Sequence, residues 1–207
     1  MKSFVADATS RAWRDTMQPP EDSTFSVPRF LSFIELAYLL EAAKAADGHL
    51  AAKLPDSSTD DDRNAVGNLN AARQSLLRAV FIASYAIVEQ NLDELVVMAR
   101  AKASVSLAPS DLKDRGIARS LTYATKVLGR KIDTGATHWK DLLLMQDLRN
   151  HLVHYGPGFA DTKDHGDRFK RFSNSDYVTL RPVICFTIAQ IEHLFSLYLT
   201  CVNDFRT

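Results

Sequence analysis

Residues 138–156 read HWKDLLLMQDLRNHLVHYG. The run is apolar at helical spacing, Thr137 stands where an N-cap belongs, and Gly156-Pro157-Gly158 is a stop, so one helix is expected with the motif DLRNHLVHY in its last turns. At about 100° per residue, Asp141, Leu144, Met145, Leu148, Leu152 and Tyr155 fall on one arc, the expected core face. Arg149, Asn150 and His154 lie off that arc. Asn150 and His154, four apart, stack on one face, whereas Arg149 is about 140° round from His154, so one chain does not easily close the pair. Leu143 on the polar side, and Leu142 and Val153 beside Arg149, add apolar surface beyond one core-facing stripe. That surplus suggests a second buried contact, such as another subunit.

Working outward, the spacing upstream predicts a helix from about Arg29 to Leu54 with Pro28 in its first turn, a polar break at Pro55–Asp62, and a very long helix from about Asp61 to Ala103. Gly67 marks a possible bend or a later start of that helix. A shorter helix is expected over Ser110–Leu128 and a strongly apolar last helix over Pro182–Phe205. Between motif and last helix, Phe169–Phe172 and Tyr177–Leu180 suggest a small hairpin. The sum is an all-α bundle of about five helices. Residues 1–28 read as an N-terminal arm and 29–207 as a single helical domain.

The chain has 25 Lys+Arg and 25 Asp+Glu, so overall charge offers no general attraction to phosphate, and any nucleic-acid binding must come from a local basic patch. Cys185 and Cys201 are too few for a secreted disulfide framework and too far apart for a C-x-x-C site. No run has the length or purity of a membrane span, and the first residues lack a signal peptide's apolar region, so a cytoplasmic protein with no membrane partner is expected. Phosphate-binding glycine loops, nucleophile elbows and EF-hand loops are absent, and no cofactor is implied.

Arg149-Asn150-x-x-x-His154 resembles the R-φ-x(4-6)-H signature of the HEPN superfamily, in which the residue after the arginine is usually Asn, Asp or His. The motif ends an apolar helix and is followed by Tyr155-Gly156; upstream, FIASYAIVEQNLDELV is similar to the aliphatic run with an internal glutamate, here Glu89, of many members. The likeness is greatest to bacterial HEPN ribonuclease-like proteins of toxin and antiviral-defence systems, and spans roughly Leu76–Leu199. It implies a HEPN-like domain acting as a metal-independent endoribonuclease, with Arg149, Asn150 and His154 as catalytic residues. It also implies a homodimer whose two motifs share one cleft, and a possible antitoxin or regulatory partner. The alternative it leaves open is a non-catalytic dimeric module that binds a nucleotide, RNA or a protein.

The chemistry is coherent. A histidine near neutral pKa can deprotonate a ribose 2′-OH or protonate the leaving 5′-oxygen, and an arginine can stabilise the charge on the phosphorane. Asn150 would orient the histidine or bind phosphate. The plain alternative is that Arg149 and His154 cap the negative helix C-terminus. His151 and His154 form H-x-x-H without an obvious third ligand, so no metal site is expected, and His151 reads as an auxiliary substrate-contacting group or a solvated helix residue. Tyr155 could stack on a base, though its arc favours the core. Basic residues bracket the motif: Lys126, Arg130 and Lys131 before it, and Lys163, Arg168, Lys170 and Arg171 after it, interleaved with Phe169 and Phe172. Such a track suits single-stranded RNA, with Lys131, Lys170 and Arg171 as candidate contacts.

Overall fold

The computed structural model describes residues 27–54, 59–160 and 163–206, so the N-terminal arm lies, but for its last two residues, outside the described residues. Among the described residues the chain forms six α-helices and one two-stranded sheet, an all-α bundle with a small hairpin before the last helix. None of these helices is long and apolar enough to cross a membrane.

Helix α1 (Val27–Ala51) carries Pro28 in its first turn, where a missing N–H costs nothing. Helix α2 (Asp60–Ala103) starts with a reciprocal cap: Thr59 Oγ1 accepts from the Asp62 N–H and the Asp62 carboxylate accepts from the Thr59 N–H, both at 3.1 Å. It runs unbroken through Gly67 for 44 residues, about 66 Å at 1.5 Å per residue. It ends at Ser104, whose φ of 53° is left-handed, with the Arg100 guanidinium closing the end onto the Val105 and Ser106 carbonyls. Leu36, Leu40 and Ala43 of α1 are buried, and a bidentate Arg73–Asp47 pair at 2.8 and 2.9 Å ties the two helices together. From Leu77 onward α2 is the spine of the core, burying Val80, Phe81, Tyr85, Val88, Leu92, Leu95 and Val96.

The helix expected over residues 110–128 is divided. A 3-10 turn (Pro109–Asp111) precedes α3 (Gly116–Thr122), which widens into a π turn (Tyr123–Val127). The break has two local causes. Asp111 accepts from the Ala108 N–H at 2.8 Å, closing a short turn, and Gly116 takes a φ of 60°, through which a right-handed helix cannot pass.

Helix α4 (Thr137–Tyr155) contains the whole motif. Thr137 is its first helical residue rather than its cap, since Ala136 occupies the cap position and supplies no side-chain bond. The start is held instead by Asp204 of the last helix, which accepts from Trp139 Nε1 at 2.6 Å and contacts His138 Nε2 at 3.0 Å. At the other end Gly156, with φ 77°, terminates α4, and its N–H donates to the Leu152 carbonyl.

Phe169–Phe172 is not a strand. It belongs to α5 (Lys163–Ser173), whose His165, Phe169 and Phe172 recur at helical spacing toward α4. The hairpin lies later, pairing Thr179 with Cys185 and Leu180 with Ile184. Pro182 sits in its turn, so α6 (Ile188–Arg206) begins later than the apolar run implies, behind a Thr187–Gln190 reciprocal cap. Gln74 of α2 satisfies both backbone groups of Phe186, and Arg78 donates to the Ile184 carbonyl, which ties the hairpin to the spine. Helix α6 buries Ile191, Leu194, Phe195, Tyr198, Cys201, Val202 and Phe205 and, with α2 and α4, completes the core.

Candidate functional site

Because α4 stays regular to Tyr155, the angular relations of its side chains follow from helix geometry. Its buried face is Trp139, Leu142, Met145, Leu148, His151 and Leu152. Asp147, Asn150 and His154 form a neighbouring stripe, and they line a cleft of about 260 Å³ with Tyr155 and with Asp164, Arg168 and Arg171 of α5. Two helices therefore face each other across the cleft, one offering acid, amide and imidazole, the other acid and two guanidinium groups.

His154 is exposed in this cleft and Asn150 half-buried one turn before it. Arg149 does not line it. Its Nη1 donates to Asn150 Oδ1 at 3.0 Å, while its buried Nε makes no hydrogen bond. Its charge acts on the buried Tyr85 hydroxyl of α2, whose pKa is raised chiefly by burial and then by Glu89, with Arg149 opposing. Asn150 thus holds Arg149 through its side-chain oxygen while lining the same cleft as His154.

Two expectations about aromatic residues exchange places. Tyr155 is 55% exposed rather than in the core, and His151 is fully buried rather than solvated or able to touch a substrate. His151 Nε2 donates to the Gly158 carbonyl at 2.9 Å. The ring stacks on Phe159 at 4.6 Å and meets His165 and Phe172 edge-on at 5.2 and 5.9 Å. Its pKa is lowered, first by burial and then by His165 and Arg168, against the opposing Gly158 bond and Asp164. The loop after Gly156 and α5 fold back over this side of α4, and the Ala160 N–H donates to His165 Nδ1 at 2.7 Å. With His151 turned inward and His154 outward, the H-x-x-H spacing does not converge, and no group of three or more potential metal ligands occurs among the described residues.

Tyr155 keeps a place at the cleft. Arg168 lies 5.0 Å from its ring centroid and His165 meets it edge-on at 5.0 Å. The downstream basic cluster is also at the cleft, but its arginines are partnered, Arg171 with Asp147 at 2.9 Å and Arg168 with Asp164 at 3.0 Å. Lys170 is exposed on α5 and does not line the cleft. The upstream cluster is elsewhere. Arg130 packs over Phe205 and donates to its carbonyl beside the N-terminus of α4. Lys131, next in the chain, is therefore separated from Arg149 by most of a helix, on the order of 20 Å.

Sequence reasoning passed over Asp147 and Asp164 as site residues. A signal was present: Asp147, Asn150 and His154 share one helical face, and Asp164, Arg168 and Arg171 share another. Glu89 is half-buried on α2, its Oε1 close against Gly116. In comparisons with protein-family models, characterised proteins and solved structures, none matches this chain.

Proposed function

We propose that this protein is a metal-independent endoribonuclease of the HEPN type, working as a homodimer and serving as a toxin or antiviral-defence effector. The observation that carries this reading is the open cleft at the end of α4, where an exposed His154 stands one turn from Asn150 and Asn150 accepts a hydrogen bond from Arg149. His154 would act as the acid or base of a transesterification in which the ribose 2′-oxygen attacks phosphorus and the 5′-oxygen leaves with a proton. Arg149 would stabilise the phosphorane, and Asn150 would position one of the two groups. Since Arg149 and His154 point to different sides of α4, the reading calls for a second subunit to bring an arginine over the histidine. Exposed Val153, four residues on from Arg149 and so beside it on the helix surface, offers apolar surface for that contact.

The self-paired arginines of the cleft favour the alternative of a non-catalytic dimeric module, because a cleft with no net charge attracts RNA weakly. One experiment separates them. Purified wild type and His154→Ala are incubated with mixed single-stranded RNA in EDTA, product ends are analysed, and oligomeric state is measured by light scattering. The expected result is wild-type cleavage by a dimer, leaving 2′,3′-cyclic phosphate or 3′-phosphate ends, and no cleavage by the variant. Equal activity in both proteins refutes the role of His154, and two folded but inactive dimers favour the binding module.

A further inference from the structure

Arg171 and Asp147 face each other across the cleft through a single Nη1–Oδ2 contact of 2.9 Å, and their side chains are 53% and 46% exposed. The Arg73–Asp47 pair between α1 and α2 is different in kind: bidentate, and only 26% and 13% exposed. The second is a structural clamp. The first is a wet, single-contact pair of the sort that holds weakly and exchanges readily.

Its position gives that weakness a use. Asp147 and Arg171 line the cleft, and His154, which also lines it, lies seven residues further along α4, about 10 Å away at the helical rise. With Asp164 and Arg168 also paired, the cleft carries two acids and two arginines, and a phosphodiester arriving there finds each arginine already opposed by a carboxylate. Arg168 is further occupied by the Tyr155 ring. Arg171 is the guanidinium that a phosphate can take over by displacing one exposed carboxylate, and phosphate offers the planar fork a better charge-assisted partner.

We infer that Arg171 is a phosphate-binding subsite for single-stranded nucleic acid, adjacent to the reacting phosphate, and that Asp147 is its resting occupant, displaced when the strand binds. This rests on the RNA-binding reading above. Asp147 thereby sets how tightly the strand is held, as an internal competitor for the same guanidinium.

The test measures binding of a fluorescent, mixed-sequence 2′-O-methyl RNA strand, which cannot be cut, to wild type, Asp147→Asn, Arg171→Gln and the double variant across a salt series. Asp147→Asn is expected to bind roughly two- to five-fold tighter. Its dependence on salt should match the wild type's, because the same phosphate contact forms in both, whereas Arg171→Gln should lose about 0.7 from the log–log slope, one phosphate contact on a single strand. Arg171→Gln should bind more weakly, and the gain from Asp147→Asn should vanish in the double variant. A gain that survives without Arg171 overturns the exchange, as does wild-type binding that Asp147→Asn leaves unchanged. If no protein binds the strand even at low salt, the RNA reading falls and this inference with it. Both side chains are half-exposed, so circular dichroism of all four proteins is expected to match.

Discussion

Replacing His151 by Phe tests whether the aromatic packing behind the cleft makes the protein acid-sensitive. In the folded chain His151 is fully buried, and burial holds its pKa below the ordinary value. The unfolded chain binds a proton at about pH 6.5. On acidification the unfolded state therefore protonates first, and stability falls from about pH 6.5 downward until the folded pKa is reached. Between about pH 7.5 and 5.5 this linkage costs the wild type at most about 1.4 kcal/mol, a limit set by the unfolded pKa alone. Phe preserves the stacking on Phe159 but loses the hydrogen bond to the Gly158 carbonyl, a cost of about 1 kcal/mol that is the same at both pH values. Urea unfolding of both proteins at the two pH values isolates the titrating part. His151→Phe should be less stable than wild type at the higher pH, with a gap that narrows by up to about 1.4 kcal/mol at the lower one. A gap that does not change with pH refutes the claim that burial keeps this histidine neutral.

Three further substitutions probe how α4 is held, one of them as a control. At Gly116 an added Cβ would meet Glu89 Oε1 at 2.9 Å and Gln146 Oε1 at 3.2 Å on a backbone with φ of 60°, whereas Gly129, with φ of 68°, has open space. Gly116→Ala should therefore lower the denaturation midpoint more than Gly129→Ala, which carries only the backbone penalty of about 1 kcal/mol; equal losses would show that the contact with α2 and α4 is not tight. Burial raises the Asp204 pKa, but the bonds from His138 and Trp139 outweigh it and hold the carboxyl below its ordinary value. Its stabilising contribution is present above the unfolded pKa of about 3.9 and is lost as pH falls through the folded value. Asp204→Ala should cost about 1–2 kcal/mol at neutral pH, discounted for partial exposure, and progressively less below about pH 4, as read by chemical denaturation.

The sequence alone determined the long helices and the stripe that carries the candidate chemistry, because both depend on local period. Apolar residues at 3.6-residue spacing, a polar break with an acidic end before the long helix and a glycine stop at Gly156 are decided within a few turns, and so is the placement of Asn150 and His154 on one face with Arg149 on another. Tertiary structure decided which member of a local set is buried. His151 and Tyr155 are only about 40° apart on α4, too close for period to choose between them. The loop carrying Phe159 and helix α5 carrying Phe172 fold back over His151 and leave Tyr155 in the cleft. The same return turned Phe169–Phe172 from a plausible strand into a helix, since a segment that short acquires its conformation from what it packs against. It also set the charge of the cleft. Arg171 lies 24 positions from Asp147 in the chain, and only the antiparallel approach of α4 and α5 makes that arginine and that carboxylate each other's partner.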